Sequence, residues 1–203
     1  MIDKAQFLEF AISKFTTFGS KRFTLDDLAS EIGVSKKTIY QHFSNKEAVI
    51  CESLELLLEK VKAELIEAVE KEKAKPILAI ILIYKIGLAH LRTFSPTFLF
   101  GLKKYYPKAN DVFANFRADV NARILNLLTE AQQMDHIRND VNLELTFELF
   151  LNQFELHIFL NHNLFEKYSN KELLQHLIVH NIRGITTDEF LQKNKTTLEL
   201  FEK

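Results

Sequence analysis

The sequence predicts an all-α protein, with a small N-terminal helical head followed by a larger helical bundle. Helix breakers are scarce: 5 Gly and 3 Pro occur in 203 residues, while Leu, Glu, Lys and Ala are abundant. Apolar residues recur at three- and four-residue spacing along most of the chain, and no segment shows the two-residue alternation of a strand. A hydrophobic fraction of 47% supports an extensive core, and a charged fraction of 26% supports a solvated surface.

The elements follow in order. Leu8, Ala11, Ile12, Phe15 and Phe18 share one face of a first helix that stops at Gly19. Thr24 is placed to cap a second helix, in which Leu25, Leu28, Ala29 and Ile32 keep helical spacing. Gly33 breaks it, and Ser35 caps a short third helix that buries Val34, Ile39 and Phe43. Ser44-Asn45-Lys46-Glu47 has the form of a capping box, a serine followed three residues on by a glutamate. It opens a long fourth helix with the stripe Ile50, Leu54, Leu57, Leu58, Val61, Leu65 and Val69, and its far end (67–75) becomes a solvated charge run.

Pro76 starts a fifth helix, apolar nearly all round to Leu91, as befits the centre of a bundle. Ser95-Pro96 restarts the chain, and Pro107 divides a short aromatic helix from a seventh carrying Phe113, Phe116, Val120, Ile124, Leu127 and Ala131. An eighth helix, 143–161, is apolar on two faces. A second Ser-Asn-Lys-Glu box at 169–172 opens a ninth with Leu173, Leu174, Leu177, Ile178 and Ile182, ended by Gly184. The polar tail from Thr187 is expected to be anchored by Phe190 and Phe201.

Composition narrows the chemistry. The formal net charge of −1 gives no general attraction to nucleic acid, but residues 35–46 hold Lys36, Lys37 and Lys46 and no acid. The single Cys51 excludes an internal disulfide and a multi-cysteine zinc site. His176 and His180 have the i, i+4 spacing of a metal pair, without a nearby third ligand in sequence, so polar contacts at a dimer interface are the favoured reading. No nucleophile elbow, phosphate loop, metalloprotease helix or dinucleotide fingerprint occurs, and neither enzyme activity nor a cofactor is expected. No signal peptide opens the chain, and the most apolar stretch (76–84) is too short for a bilayer. The expected location is the cytoplasm, with no membrane partner.

Two helices joined at Gly33-Val34, the second short, polar and basic, are the elements of a helix-turn-helix. Val34 and Ile39 lock the second helix down, leaving Lys36, Lys37, Thr38, Tyr40, Gln41 and His42 on the remaining faces. Hydroxyl, amide and cationic groups suit base edges and phosphates. Composition alone fits a DNA-contacting helix and a solvated basic face equally well.

The string Phe23-Thr24, Leu28-Ala29, Ile32-Gly33-Val34-Ser35-Lys36, Thr38-Ile39-Tyr40-Gln41-His42-Phe43 and Asn45-Lys46-Glu47, with Phe15 and Gly19 before it, resembles the N-terminal domain of the TetR family. The resemblance covers residues 4–50; beyond it only length and helicity match. Lys37 departs from the pattern, where glycine is commoner.

The resemblance implies a DNA-binding transcriptional regulator, a repressor released from double-stranded operator DNA by a small apolar or amphipathic ligand. The alternative is a helical ligand-binding or interaction protein without DNA binding. It implies a DNA-binding domain at 1–46 and an effector-binding and dimerisation domain at 47–203. It assigns Thr24 as a phosphate-contacting cap, Ser35, Lys36, Lys37 and Thr38 to the leading end of the recognition helix, and Tyr40, His42 and Lys46 to backbone phosphates. Gln41 either reads a base or is solvated.

In the second domain, Tyr84, His90, Phe94, Phe98, Tyr105, Phe113, Phe116 and Asn152 are candidate pocket residues, since such pockets are mostly apolar with few polar groups. The eighth and ninth helices are apolar on more faces than one chain covers. Phe147, Leu151, Phe154, Ile158, Leu173, Leu177 and His180 are therefore candidates for a homodimer interface.

Overall fold

A computed structural model describes residues 3–72, 74–155 and 164–199. Among these the chain is helical, with twelve α-helices, one π-helical turn and a single isolated bridge. Two compact units emerge, 1–62 with 92–118 and 63–91 with 119–203.

The first unit holds α1 (Lys4–Phe18), α2 (Leu25–Ile32), α3 (Lys36–His42), the start of α4 (Lys46–Lys71), α6 (Pro96–Tyr105) and the start of α7 (Pro107–Gln133). Phe15, Leu28, Ile50, Leu54 and Phe98 are fully buried in it, and Phe7 stacks on Phe43 with ring centroids 5.3 Å apart. Gly19 adopts φ +86° to end α1, which a side chain would resist, and Gly33 ends α2 in the left-handed region at φ +75°.

α6 is tied to α1 by Ser95, whose backbone N–H donates to the Thr16 carbonyl at 2.8 Å. Behind it, Gly101 allows close approach: a Cβ there would lie 2.6 Å from the Ser20 Oγ, a hydroxyl that is buried without a hydrogen-bond partner among the described residues.

The second unit is built around α5 (Pro76–Leu91), where Ile77, Ile80, Ile81, Tyr84 and Leu88 are buried. α10 (Asn170–Leu174) and the π turn (Gln175–Val179) pack on α5, and α8 (Leu143–Glu155) packs on the π turn. The short α9 (Leu164–Lys167) precedes them; α11 (His180–Ile185) and α12 (Asp188–Glu199) follow. Ser169 and Glu172 form the expected reciprocal box at the start of α10.

Three sequence expectations are corrected. Asn45, not Ser44, caps α4: its Oδ1 accepts from the Ala48 N–H at 2.9 Å, while the Glu47 carboxylate accepts instead from the Lys108 N–H at 3.0 Å. The ninth helix is not uniform, because the π turn interrupts it. Nor does Gly184 end it; α11 runs to Ile185, and the Arg138 guanidinium takes up the Gly184 carbonyl at 2.7 Å. Beside that contact, Ile137 and Thr186 form the isolated antiparallel bridge. Phe190 anchors α12 against His136 with centroids 4.7 Å apart, whereas Phe201 lies outside the described residues.

No described single helix is long and apolar enough to cross a membrane.

Candidate nucleic-acid interface

α3 is held by its underside. Ile39 is 1% exposed and Phe43 4%, so the helix is pinned through two apolar residues while its other faces stay open. Ser35 caps it: the Oγ accepts from the Thr38 N–H at 3.1 Å and lies 2.8 Å from the Thr38 hydroxyl. Lys37, Gln41 and His42 are exposed, Tyr40 is 48% exposed, and Thr38 is half-buried. Val34, expected in the core, is only half-buried at the turn.

Thr24 caps α2 in a reciprocal box with Asp27. Its N–H and hydroxyl both donate to the Asp27 Oδ2, at 2.7 and 2.8 Å, and Asp27 N–H returns a bond to the Thr24 Oγ1 at 3.1 Å. The Thr24 backbone N–H, followed by its hydroxyl, holds the Asp27 carboxyl below its ordinary pKa. Thr24 remains exposed at the open end of the helix, where the dipole favours an anion.

Lys36 is not free in this structure. Its ammonium meets the Asp26 carboxylate at 2.7 Å, and that hydrogen bond raises its pKa. The acid-free character of 35–46 is therefore a property of the sequence segment; α2 supplies an acid across the turn. Lys46 is half-buried between aromatic rings, 5.7 Å from the Phe15 centroid and 5.9 Å from that of Tyr106, and burial lowers its pKa. The surface presents exposed hydroxyl, amide and cationic groups on one short rigid helix, with a capped helix start and a further cation beside it. That is a set for gripping phosphates and reading base edges.

The candidate pocket residues divide between the units. In the first, Phe94 meets Phe98 edge-on at 5.4 Å and Phe113 at 6.1 Å, Phe116 is half-buried, and Tyr105 is exposed with its hydroxyl accepting from Lys21 at 3.2 Å. In the second, Tyr84 is buried and His90 Nε2 lies 2.9 Å from the Glu64 carboxylate. Of the candidate dimer residues, Leu173 is buried, Phe147 and Leu177 are half-buried and His180 is exposed. The side chains of Leu151, Asn152 and Phe154, and all of Ile158, lie outside the described residues. His176 and His180 meet edge-on with centroids 4.9 Å apart, and no group of three metal-ligating side chains occurs among the described residues.

Sequence reasoning missed Asp26 and the Lys21–Tyr105 contact. Asp26 stands ten residues from its partner in a helix read for its cap and its apolar face; nothing local in the sequence marks the second pair.

The family described as bacterial regulatory proteins, tetR family, matches residues 7–52, which span α1 to the first turns of α4. The chain is 27% identical over 168 residues to the uncharacterized HTH-type transcriptional regulator YvaF of Bacillus subtilis, covering 82% of this chain and 87% of that one. Its fold is similar to that of the TetR family regulator PfmR of Thermus thermophilus (TM-score 0.66, 22% identity, 87% and 97% of the two chains covered). It is also similar to the regulator FadR of Bacillus subtilis, solved with stearoyl-CoA (TM-score 0.69, 17% identity, 89% and 98% covered).

Proposed function

We propose that this chain, whose residues 7–52 match the tetR family of bacterial regulatory proteins, is a DNA-binding transcriptional regulator of that family, acting as a cytoplasmic homodimeric repressor, without enzymatic activity, that an apolar or amphipathic small molecule releases from its operator. The observation that carries this reading is α3, pinned by Ile39 with its polar and cationic residues turned to solvent. Residues 1–46 serve as the DNA-contacting domain, and 47–203 as the effector and dimerisation domain.

Thr24, Ser35, Lys37, Thr38, Tyr40, Gln41, His42 and Lys46 supply the contacts, with Lys36 joining when phosphate replaces Asp26 as its partner. Dimerisation places two such helices on one duplex, where half-sites lie roughly 34–36 Å apart or a multiple of it. Leu145 and Leu149 on α8, each 54% exposed, are apolar surface that a second copy covers. The FadR complex with stearoyl-CoA, an amphipathic molecule, supports the effector class.

The test is to select duplexes from random-sequence DNA with the purified protein and to map them in the genome that encodes it. Recovery of a common, two-fold symmetric sequence overlapping a promoter supports repression, and recovery upstream of the promoter supports activation. No enrichment over input, with no salt-sensitive retention on any duplex, leaves a ligand-binding protein without DNA function.

A further inference from the structure

The end of α6 lies beside the entrance to α2, and the two segments that meet there are basic. Residues 10–25 contain Lys14, Lys21 and Arg22 and no acid; residues 92–110 contain Arg92, Lys103, Lys104 and Lys108 and no acid. Lys21 joins them: its ammonium donates to the Tyr105 hydroxyl at 3.2 Å and stands 4.5 Å from the ring centroid. Lys104 stands 5.4 Å from the same ring and 5.3 Å from that of Phe100. Lys103, Lys104 and Tyr105 are exposed, and Phe100 is 60% exposed. The patch is continuous with the interface already described. Arg22 is two residues from the Thr24 cap, and Lys46 lies over the ring of Tyr106, the neighbour of Tyr105.

We propose that Lys21, Lys103, Lys104 and Tyr105 form a second DNA contact, gripping the phosphate backbone that flanks the half-site read by α3. This rests on the DNA-binding reading above. The chemistry fits a phosphate row better than a discrete ligand. The cations are spread along the end of α6 and the segment before α2, neither segment contains an acid although Lys14 pairs with Glu31 of α2, and ammonium and phenol groups both donate to phosphate oxygens. Because the Tyr105 oxygen accepts from Lys21, its own proton is left to donate outward. The Lys21 hydrogen bond also lowers the Tyr105 pKa, which makes that phenol a stronger donor. An element from beyond the sequence-matched head then touches DNA directly.

The experiment uses the full chain and the tightest duplex recovered by selection, prepared in two lengths. One ends at the outer edges of the two half-sites; the other extends about 10 base pairs further at each end, one helical turn. Affinity is followed against salt for the wild type, Lys103→Ala/Lys104→Ala and Tyr105→Phe, with thermal melts confirming that each variant is folded. On the long duplex the double variant is expected to lower the slope of log affinity against log salt by about 1 for each lysine that meets a phosphate. On the short duplex the three proteins are expected to agree. Equal slopes on the long duplex, or an equal loss on both lengths, overturn the proposal while leaving the regulator reading intact. Absence of wild-type binding to both lengths refutes the regulator reading, and the flanking contact with it.

Discussion

The Lys36 ammonium and the Asp26 carboxylate meet at 2.7 Å across the turn joining α2 to α3, so a phosphate approaching Lys36 would have to displace an acid already in place. Asp26→Asn removes that competitor and a negative charge from the same surface. It is expected to tighten duplex binding and to raise the salt slope by about one charge, measured by fluorescence anisotropy over a salt series. Lys37→Ala is expected to cost more affinity than Lys36→Ala, since Lys37 has no such partner to leave among the described residues. The reverse order refutes this account of α3.

Ile39 separates fold from function. Ile39→Ala empties a site that is 1% exposed and is expected to cost about 2–5 kcal/mol in urea denaturation. Lys37→Ala, on the open face of the same helix, is expected to stay within about 0.5 kcal/mol of wild type.

Gly101 and Ser20 make a coupled pair. Gly101→Ala drives a methyl to 2.6 Å from the Ser20 Oγ and is expected to destabilise by about 1–3 kcal/mol. Ser20→Ala removes a buried hydroxyl that has no hydrogen-bond partner among the described residues and is expected to be close to neutral. Combining the two is expected to recover much of the loss. Additive effects in a double-mutant cycle mean that the helices part instead of clashing.

Cys51 is a thiol raised to about 11, first by burial and then by the charges of Glu47 and Glu55. The native state retains a proton that the unfolded chain gives up near pH 8.5. Stability from this group is therefore full below that pH and falls as pH rises towards 11. Alkylation by iodoacetamide at pH 8 is expected to be far slower in the native protein than in urea, and Cys51→Ser to flatten the alkaline loss of stability. Equal alkylation rates count against the raised thiol.

Assembly is tested at α8. Leu145→Glu/Leu149→Glu changes two side chains that are each 54% exposed, so the fold is expected to survive. Analytical ultracentrifugation is expected to show a dimer for wild type and a shift to monomer for the variant. A monomeric wild type at micromolar concentration removes the homodimer.

What was legible in the sequence was local. Thr24, Ser35 and Ser169 cap their helices because each bond closes within three residues, and Ile39 and Phe43 are buried as their spacing requires. The misreadings arose where distant backbone intervened. Asn45 displaced Ser44 as a cap while Glu47 turned to Lys108, and Gly184 stayed helical where Arg138 accepts the role of satisfying its carbonyl. The π turn at Gln175–Val179 left no mark on the apolar spacing, and Lys36–Asp26 and Lys21–Tyr105 join residues of different elements. At the interface, residue types were readable from sequence, whereas their electrostatic partners were not.

The segment 92–118 has a consequence for anyone who would exchange heads between such proteins. Cutting after residue 46 leaves behind Phe98 and Leu102, both buried in the first unit, and the Ser95 bond to Thr16. A chimera made at that seam inherits a foreign lining for its own α1, and its solubility then depends on how well the host's sixth helix suits Phe15 and Ser20. Swaps that carry both pieces together transplant a matched pair, so recombination within this architecture is constrained to two coordinated crossovers instead of one.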